Sequence, residues 1–185
     1  PEPAVLTEML SEKQVKTDAE SLSVWGKDWT NGFPVAPSAV VFPETNEQVV
    51  EIVHYAIEHG IALVPSGGRT GLSGGAVASH GEIVVSFDRM NQILDFNAED
   101  RIVTCQAGVV TQVLQDYAVQ QDLFYPVDFA SSGSSQIGGN VATNAGGIKV
   151  IRYGLTRDWV GGLRAVTGSG DLLNCNAGLV KNATG

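Results

Sequence analysis

The chain has 185 residues, of which 20 are acidic and 11 are lysine or arginine, giving a formal charge of -9 with 43% hydrophobic residues. That length can bury a substantial core and leaves room for two small lobes. The acidic balance excludes a nucleic-acid surface, which displays clustered lysine and arginine to replace phosphate counterions, so an anionic ligand has to be held by backbone dipoles and a few placed arginines. No apolar run approaches the roughly 20 residues needed to cross a bilayer, and no signal peptide opens the chain. Cys105 and Cys175 are far apart with no histidine nearby, which fits neither a zinc motif nor a dense disulfide framework. Reduced thiols and a cytoplasmic location are the expectation, with peripheral membrane association as the second option. Pro1 in place of methionine and the polar turn at 182–185 read as an excised piece of a longer protein.

Residues 1–35 read as an amphipathic helix followed by an irregular arm. Val5, Leu6, Met9 and Leu10 recur at helical spacing, whereas Trp25, Trp29 and Phe33 lie in a stretch with glycine and aspartate that reads as packed loop. The tryptophans anchor this arm to a core, with a substrate-facing role as the alternative. The pattern sharpens at 39–42, a short apolar strand stopped by Pro43. Thr45 and Gln48 form a capping box for a helix whose apolar face is Val49, Ile52, Val53, Ala56 and Ile57, and Gly60 ends it. A strand at 61–64 completes a β-α-β unit. A glycine-rich loop then follows at the strand's carboxyl end, where ligands of α/β sheets sit.

Further along, 82–87 reads as a strand, and 92–96 with 101–106 as a hairpin around 97–100. Val110, Val113, Leu114, Tyr117 and Ala118 place a helix capped by Thr111 or the residues just before it. After a second glycine-rich stretch, 163–167 and 172–175 flank a turn at 168–171 and form a last hairpin. The two glycine stretches, S-G-G-R-T-G-L-S-G-G at 66–75 and S-S-G-S-S-Q-I-G-G-N-V-A-T-N-A-G-G at 131–147, carry the functional signal. Glycine lets backbone approach a ligand, and successive exposed N–H groups form an anion site without lysine, so together they read as a two-part cradle for a phosphate-bearing cofactor. Neither stretch has the Lys-Ser/Thr pair of a Walker loop. Gly67, Gly68, Gly71, Gly74 and Gly75 also miss the G-x-G-x-x-G spacing of a dinucleotide fold. Plain flexible turns are the bland alternative, but Arg69-Thr70 and 140–144 interleave donors with glycine too regularly for a linker.

With these motifs in this order, the chain resembles the FAD-binding, PCMH-type domain of the vanillyl-alcohol oxidase superfamily from about Ala36 onward. P-S-G-G-R-T-G at 65–71, I-G-G-N-V-A-T-N-A-G-G at 137–147 and R-Y-G at 152–154 look most like the D-2-hydroxyacid dehydrogenase branch. That branch includes D-2-hydroxyglutarate dehydrogenase, D-lactate dehydrogenase and the flavin subunit of glycolate oxidase. Arg89-Met90-Asn91 and Cys105-Gln106-Ala107-Gly108 strengthen the hydroxyglutarate match. The resemblance implies an α+β fold of two small lobes with FAD between them: an N-terminal helix and arm at 1–35, a β-α-β subdomain at 36–90 and a strand-rich subdomain at 91–185.

The resemblance further implies that Pro65, Ser66, Gly67, Gly68, Arg69, Thr70, Gly71, Ser73 and Gly74 wrap the FAD diphosphate. Gly138, Gly139, Asn140, Thr143, Asn144 and Gly147 complete the grip toward the ribityl chain and ring, and Pro126 and Asp128 line the adjoining wall with Ala107-Gly108 nearby. Arg69 adds supplementary charge. Arg152 and Tyr153 border the flavin or are an ordinary surface arginine and a packed tyrosine. Thr70 stands where members with covalent flavin often have histidine, so the implied FAD is non-covalent. His54 and His59 decorate the exposed face of a helix, and His80 a turn. The implied reaction moves hydride from the α-carbon of a D-2-hydroxy acid to flavin N5. The resemblance also implies that the substrate-binding groups come chiefly from a C-terminal domain expected beyond this sequence. No catalytic acid, base or metal is assigned, and the electron acceptor is left open. An oxidase of sugars, lactones or other alcohols, or a non-catalytic flavin-binding module, are the alternatives.

Overall fold

The computed structural model describes residues 3–175. In chain order they form α1 (Pro3–Met9), a 3-10 turn (Glu12–Gln14), β1 (Val15–Lys16), α2 (Ala19–Trp25), β2 (Ala39–Val41), α3 (Asn46–His59), β3 (Leu63–Ser66) and β4 (Ile83–Ser86). There follow β5 (Ile93–Asn97), β6 (Ile102–Cys105), α4 (Thr111–Gln120), α5 (Ile137–Ala142), α6 (Val150–Tyr153), a 3-10 turn (Thr156–Trp159), β7 (Leu163–Val166) and β8 (Leu172–Cys175). The architecture is α+β: one four-stranded sheet in the order β1-β2-β4-β3 and two antiparallel hairpins, β5-β6 and β7-β8. The polar turn expected at 182–185 lies outside the described residues.

Alternation along the apolar strands builds two cores on opposite faces of the sheet. Ala39, Val41, Ile83 and Val85 point to one face, where Leu6 of α1 and Ile52 and Tyr55 of α3 cover them. Val40 and Val84 point to the other, against Phe42, Ala78, Leu22 and Trp25. β2 and β3 are parallel as expected, but β4 lies between them and pairs with both, so the β-α-β crossover spans an intervening strand. β3 occupies 63–66 rather than 61–64, which makes Ser66 its last residue and removes it from the loop.

The α3 boundaries follow the sequence signals. The Thr45 hydroxyl accepts the Gln48 amide at 3.2 Å, and the Gln48 side chain reaches back to the Glu44 amide at 2.8 Å. Gly60 takes the left-handed conformation with φ 62° that ends the helix. Ile57 is 55% exposed and Tyr55 replaces it on the buried face. The arm departs further from expectation: 19–25 is helical, with the Asp18 carboxylate accepting the Ser21 amide at 2.9 Å. Its apolar stripe is short, which is why no helical period stands out. Trp25 does anchor the arm, packing edge-on against Phe42 at 5.2 Å. Trp29 does not pack into that core, its side chain being 65% exposed.

The β5-β6 hairpin forms where expected, closed by the Asn97 side chain accepting the amides of Glu99 and Asp100, both at 3.0 Å. Phe96 meets Tyr117 edge-on at 6.0 Å, seating this hairpin against α4. Of the two expected caps of α4, the residue just before it, Val110, takes the N-cap position, without a side-chain hydrogen bond, and Thr111 is the first helical residue. Thr111 is fully buried, with its hydroxyl turned toward the second glycine stretch.

Candidate functional site

The first glycine loop leaves the carboxyl end of β3 and presents unpaired backbone. Among the described residues, no acceptor takes the amides of residues 67–73. Successive N–H groups without internal partners need an acceptor from outside, water or a bound anion. The N-terminal arm holds the loop from behind. Trp29 N–H donates to the Gly71 carbonyl at 3.1 Å, Ala78 N–H to the Gly26 carbonyl at 2.9 Å, and the Phe33 ring lies against Gly74, whose φ is +77°. Asp28 supports the same turn. Burial acts to raise its carboxyl, but hydrogen bonds from the Thr30 hydroxyl and amide, with the nearby amides of Ala76 and Gly74, outweigh that and hold it below the ordinary aspartate value. Its Oδ2 itself has no hydrogen-bond partner among the described residues.

The second stretch runs through a serine-rich turn into α5. The first amides of a helix have no partner within it. Here the preceding chain takes two of them, Ile137 N–H donating to the Val109 carbonyl at 2.9 Å and Gly138 N–H to the Ala107 carbonyl at 2.8 Å. The next amide, of Gly139, has no acceptor among the described residues. An added Cβ at Gly139 meets nothing within 4 Å, whereas at Gly138 it lies 2.7 Å from the Ala107 methyl. Gly138 is therefore a packing glycine and Gly139 faces open space.

The two loops touch. A Cβ on Gly68 overlaps the Ser134 carbonyl oxygen and lies 2.8 Å from the Ser134 carbonyl carbon and 2.9 Å from Ser135 Cα, so only glycine admits this approach. Gly108 is equally constrained: a Cβ there would lie 2.7 Å from the Met90 carbonyl oxygen, and its own N–H donates to that carbonyl at 2.8 Å. Beneath the contact lies Asp88, two residues past β4. Trp25 Nε1–H donates to its Oδ2 at 2.8 Å and Gln136 Nε2–H to its Oδ1 at 2.8 Å, while Arg69 Nη1 stands 3.6 Å from Oδ2. Arg69 also donates to the Gly67 carbonyl at 3.3 Å and lies 5.5 Å over the Trp25 ring. These contacts pair its charge within the protein and fix the shape of the loop. Sequence reasoning missed Asp88, Gln136 and Asp28. The one available signal was the position of Asp88 at the carboxyl end of a parallel strand.

The remaining expected residues divide by exposure. Ser66 is fully buried with an unpartnered hydroxyl, Pro126 is buried, and the exposed Pro65 has no N–H to offer. Asn140 is 4% exposed. Its side chain donates to the Thr111 hydroxyl at 2.7 Å and its amide to the Gln136 carbonyl at 3.0 Å, so its donors serve the scaffold. Thr143 is exposed and returns its hydroxyl to the Gly139 carbonyl at 3.0 Å. Asn144 has φ +47° and accepts the Arg157 amide at 3.0 Å. Gly147 packs on the Asp128 backbone, its Cβ position overlapping the Asp128 carbonyl. The Asp128 carboxylate pairs with Lys149 at 3.1 Å, which holds it below the ordinary aspartate value. Thr70 is half-buried and Ser73 exposed on the first loop. Arg152 lies 5.1 Å over Tyr153, which also meets Phe124 edge-on at 5.7 Å. His54 and His59 are on the outer side of α3 and His80 is in a bend. Burial pushes the Cys105 thiol up, and burial followed by the neighbouring Cys105 pushes the Tyr125 hydroxyl to about 12, so both are neutral at pH 7.

This arrangement of free amides around two touching loops suits an extended phosphate-bearing ligand. The family described as "FAD binding domain" matches residues 37–176. The chain belongs to this FAD-binding family. A D-2-hydroxyglutarate dehydrogenase of Stutzerimonas stutzeri is 62% identical across the whole chain, which covers 40% of that protein. The mitochondrial D-2-hydroxyglutarate dehydrogenase of Rattus norvegicus is 39% identical over 93% of this chain and 32% of its own length. The chain thus spans less than half the length of these curated relatives. Among solved structures, an alkyldihydroxyacetonephosphate synthase superposes with a TM-score of 0.83 at 22% identity, covering 92% of this chain and 33% of that one. A p-cresol methylhydroxylase gives 0.74 at 22% identity, covering 91% and 33%. These likenesses show the fold alone, an α+β arrangement shared with both proteins. Among the described residues no helix is long and apolar enough to cross a membrane.

Proposed function

We propose that this chain is the FAD-holding part of a D-2-hydroxyacid dehydrogenase, and that its two glycine loops grip the diphosphate through main-chain N–H groups. The observation that carries the reading is the set of amides without internal acceptors, at 67–73 and at Gly139, on loops locked together through Gly68 and Ser134. A dianionic diphosphate needs several converging donors, and the two loops supply them as main-chain N–H groups. Gly67, Gly68, Thr70, Gly71 and Ser73 would hold it from one side and Gly139 from the other. Gly138, Asn140, Gly147 and Asp128 would fix the backbone that carries these donors. The subdivision into 36–90 and 91–185 then assigns one loop to each half. FAD when bound supplies the acceptor for substrate hydride. The chain's own part is to bind, orient and shield it, and no residue here is assigned as acid or base. With Thr70 in the first loop and a neutral, half-buried Cys105, we propose that the cofactor is held without a covalent bond.

The hydroxyglutarate relatives support a D-2-hydroxy acid as substrate of the whole protein, with 2-hydroxyglutarate the first to test. Two free thiols support a reducing, cytoplasmic setting. The test is the absorbance spectrum of the purified full-length protein, followed by anaerobic addition of D-2-hydroxyglutarate, D-lactate or glycolate in turn. A flavin band bleached by one of these acids is the expected result. A colourless protein overturns the site, and bound flavin that none of them bleaches overturns the substrate class.

A further inference from the structure

Asp88 brings together three segments that the sequence keeps far apart: the N-terminal arm through Trp25, the first glycine loop through Arg69 and the second through Gln136. Each partner depends on it. The Gln136 side chain sits in a residue 5% exposed, its Oε1 has no partner, and its amide group's one hydrogen bond among the described residues goes to Asp88. Arg69 holds a left-handed backbone with φ 57°, which a non-glycine residue keeps only when its surroundings fix it. Its fixings are the Asp88 carboxylate, the Gly67 carbonyl and the Trp25 ring. Gln136 immediately precedes α5 and Gly67 faces it, the Cβ position of Gly67 lying 3.4 Å from Gln136 Oε1. The carboxylate therefore ties the base of one loop to the base of the other.

We propose that Asp88 is a positioning residue for the cofactor, a clasp that sets the gap between the two glycine loops. The inference rests on the reading that FAD lies at these loops. It makes a prediction opposite to that of charge alone. A carboxylate near an anion repels it, so if Asp88 acted only through its field, neutralising it would tighten FAD binding. As a clasp, its loss frees Arg69 and Gln136 and weakens binding even though the repulsion has gone.

The experiment titrates FAD into the deflavinated full-length protein, followed by flavin fluorescence, for the parent, Asp88→Asn, Asp88→Ala, Gln136→Leu and the Asp88→Ala/Gln136→Leu double variant. Apo melting is recorded alongside, and titrations run well below each melting temperature. Asp88→Asn keeps the shape and serves if Asp88→Ala does not fold. We expect about tenfold weaker FAD binding for either single Asp88 variant, the loss of a charge-assisted hydrogen-bond network. The double variant is expected to bind no worse than Asp88→Ala, since both changes open one connection. Equal or tighter binding by Asp88→Asn overturns the clasp, as do a lowered melting temperature with unchanged affinity and strictly additive losses. A parent protein that takes up no FAD refutes the underlying reading of the site, and the clasp with it.

Discussion

Replacing Gly139 with alanine separates the needs of the fold from those of the ligand, because the two move in opposite directions. Gly139 is inside α5, where glycine costs about 0.5–1 kcal/mol relative to alanine. An added methyl meets no atom of the protein within 4 Å, so nothing steric offsets the gain. The apo protein should therefore become more stable by up to about 1 kcal/mol, read as a rise in melting temperature. The same methyl enters the open space beside a residue with a free N–H, where the proposed diphosphate or the adjoining part of FAD approaches. Losing one hydrogen bond to a charged acceptor costs about 1.5–3 kcal/mol, or about a tenfold to hundredfold rise in the FAD dissociation constant. Calorimetric melting of the deflavinated full-length protein and fluorescence titration with FAD read the two effects separately. Gly139→Val, with more bulk on the same side, should abolish flavin retention while far-UV circular dichroism stays native. A variant that melts higher and binds FAD normally would refute the placement of the cofactor against Gly139; one that melts lower would refute the reading of this glycine as unneeded by the fold.

Gly68→Ala should behave in the reverse way, destabilising the apo protein by about 1–3 kcal/mol because its Cβ overlaps backbone of Ser134 that cannot rotate aside; unchanged chemical denaturation would show that the loops are not in contact. Thr45→Ala should cost about 1 kcal/mol by removing the acceptor for the Gln48 amide at the start of α3, and a neutral result by urea denaturation would discount that cap. The Asp128 carboxyl, held low chiefly by the Lys149 hydrogen bond, contributes stability that is fully present above the ordinary aspartate value and is lost as pH falls through its lowered folded value. Lys149→Met should bring the Asp128 carboxyl back toward that ordinary value in a carbon-13 NMR titration, and no movement would remove Lys149 as the cause. Denaturing the FAD-loaded protein with acid should release the flavin into the supernatant, whereas yellow precipitate would contradict dissociable binding.

Where a fold feature is written locally, the chain alone shows it. The α3 boundaries need only Thr45, Gln48 and Gly60, all within a turn of the ends they set, and the β5-β6 hairpin needs only its alternation and the Asn97 turn. α2 escaped because its stabilisation is largely tertiary: two apolar residues, Leu22 and Trp25, reach a core made by strands further along the chain. The Asp88 connections escaped for the same reason, since Trp25 and Gln136 lie 63 and 48 residues away and polar contacts of that span leave no periodicity.

Glycine is the sharper case, because in the sequence all members of the two rich stretches look alike. Folding divides them by what an added methyl would strike. Gly68, Gly138 and Gly147 meet other parts of the chain, so each is needed to bring two segments together whether or not a ligand is present. Gly139 meets nothing, and it is also the residue whose N–H is left over after Ala107 and Val109 have taken those of its neighbours. A fold under no demand but its own stability has no use for glycine in that helical position. We therefore propose that the demand comes from outside the chain, from a ligand received at that free N–H, one residue beyond the packing glycine Gly138.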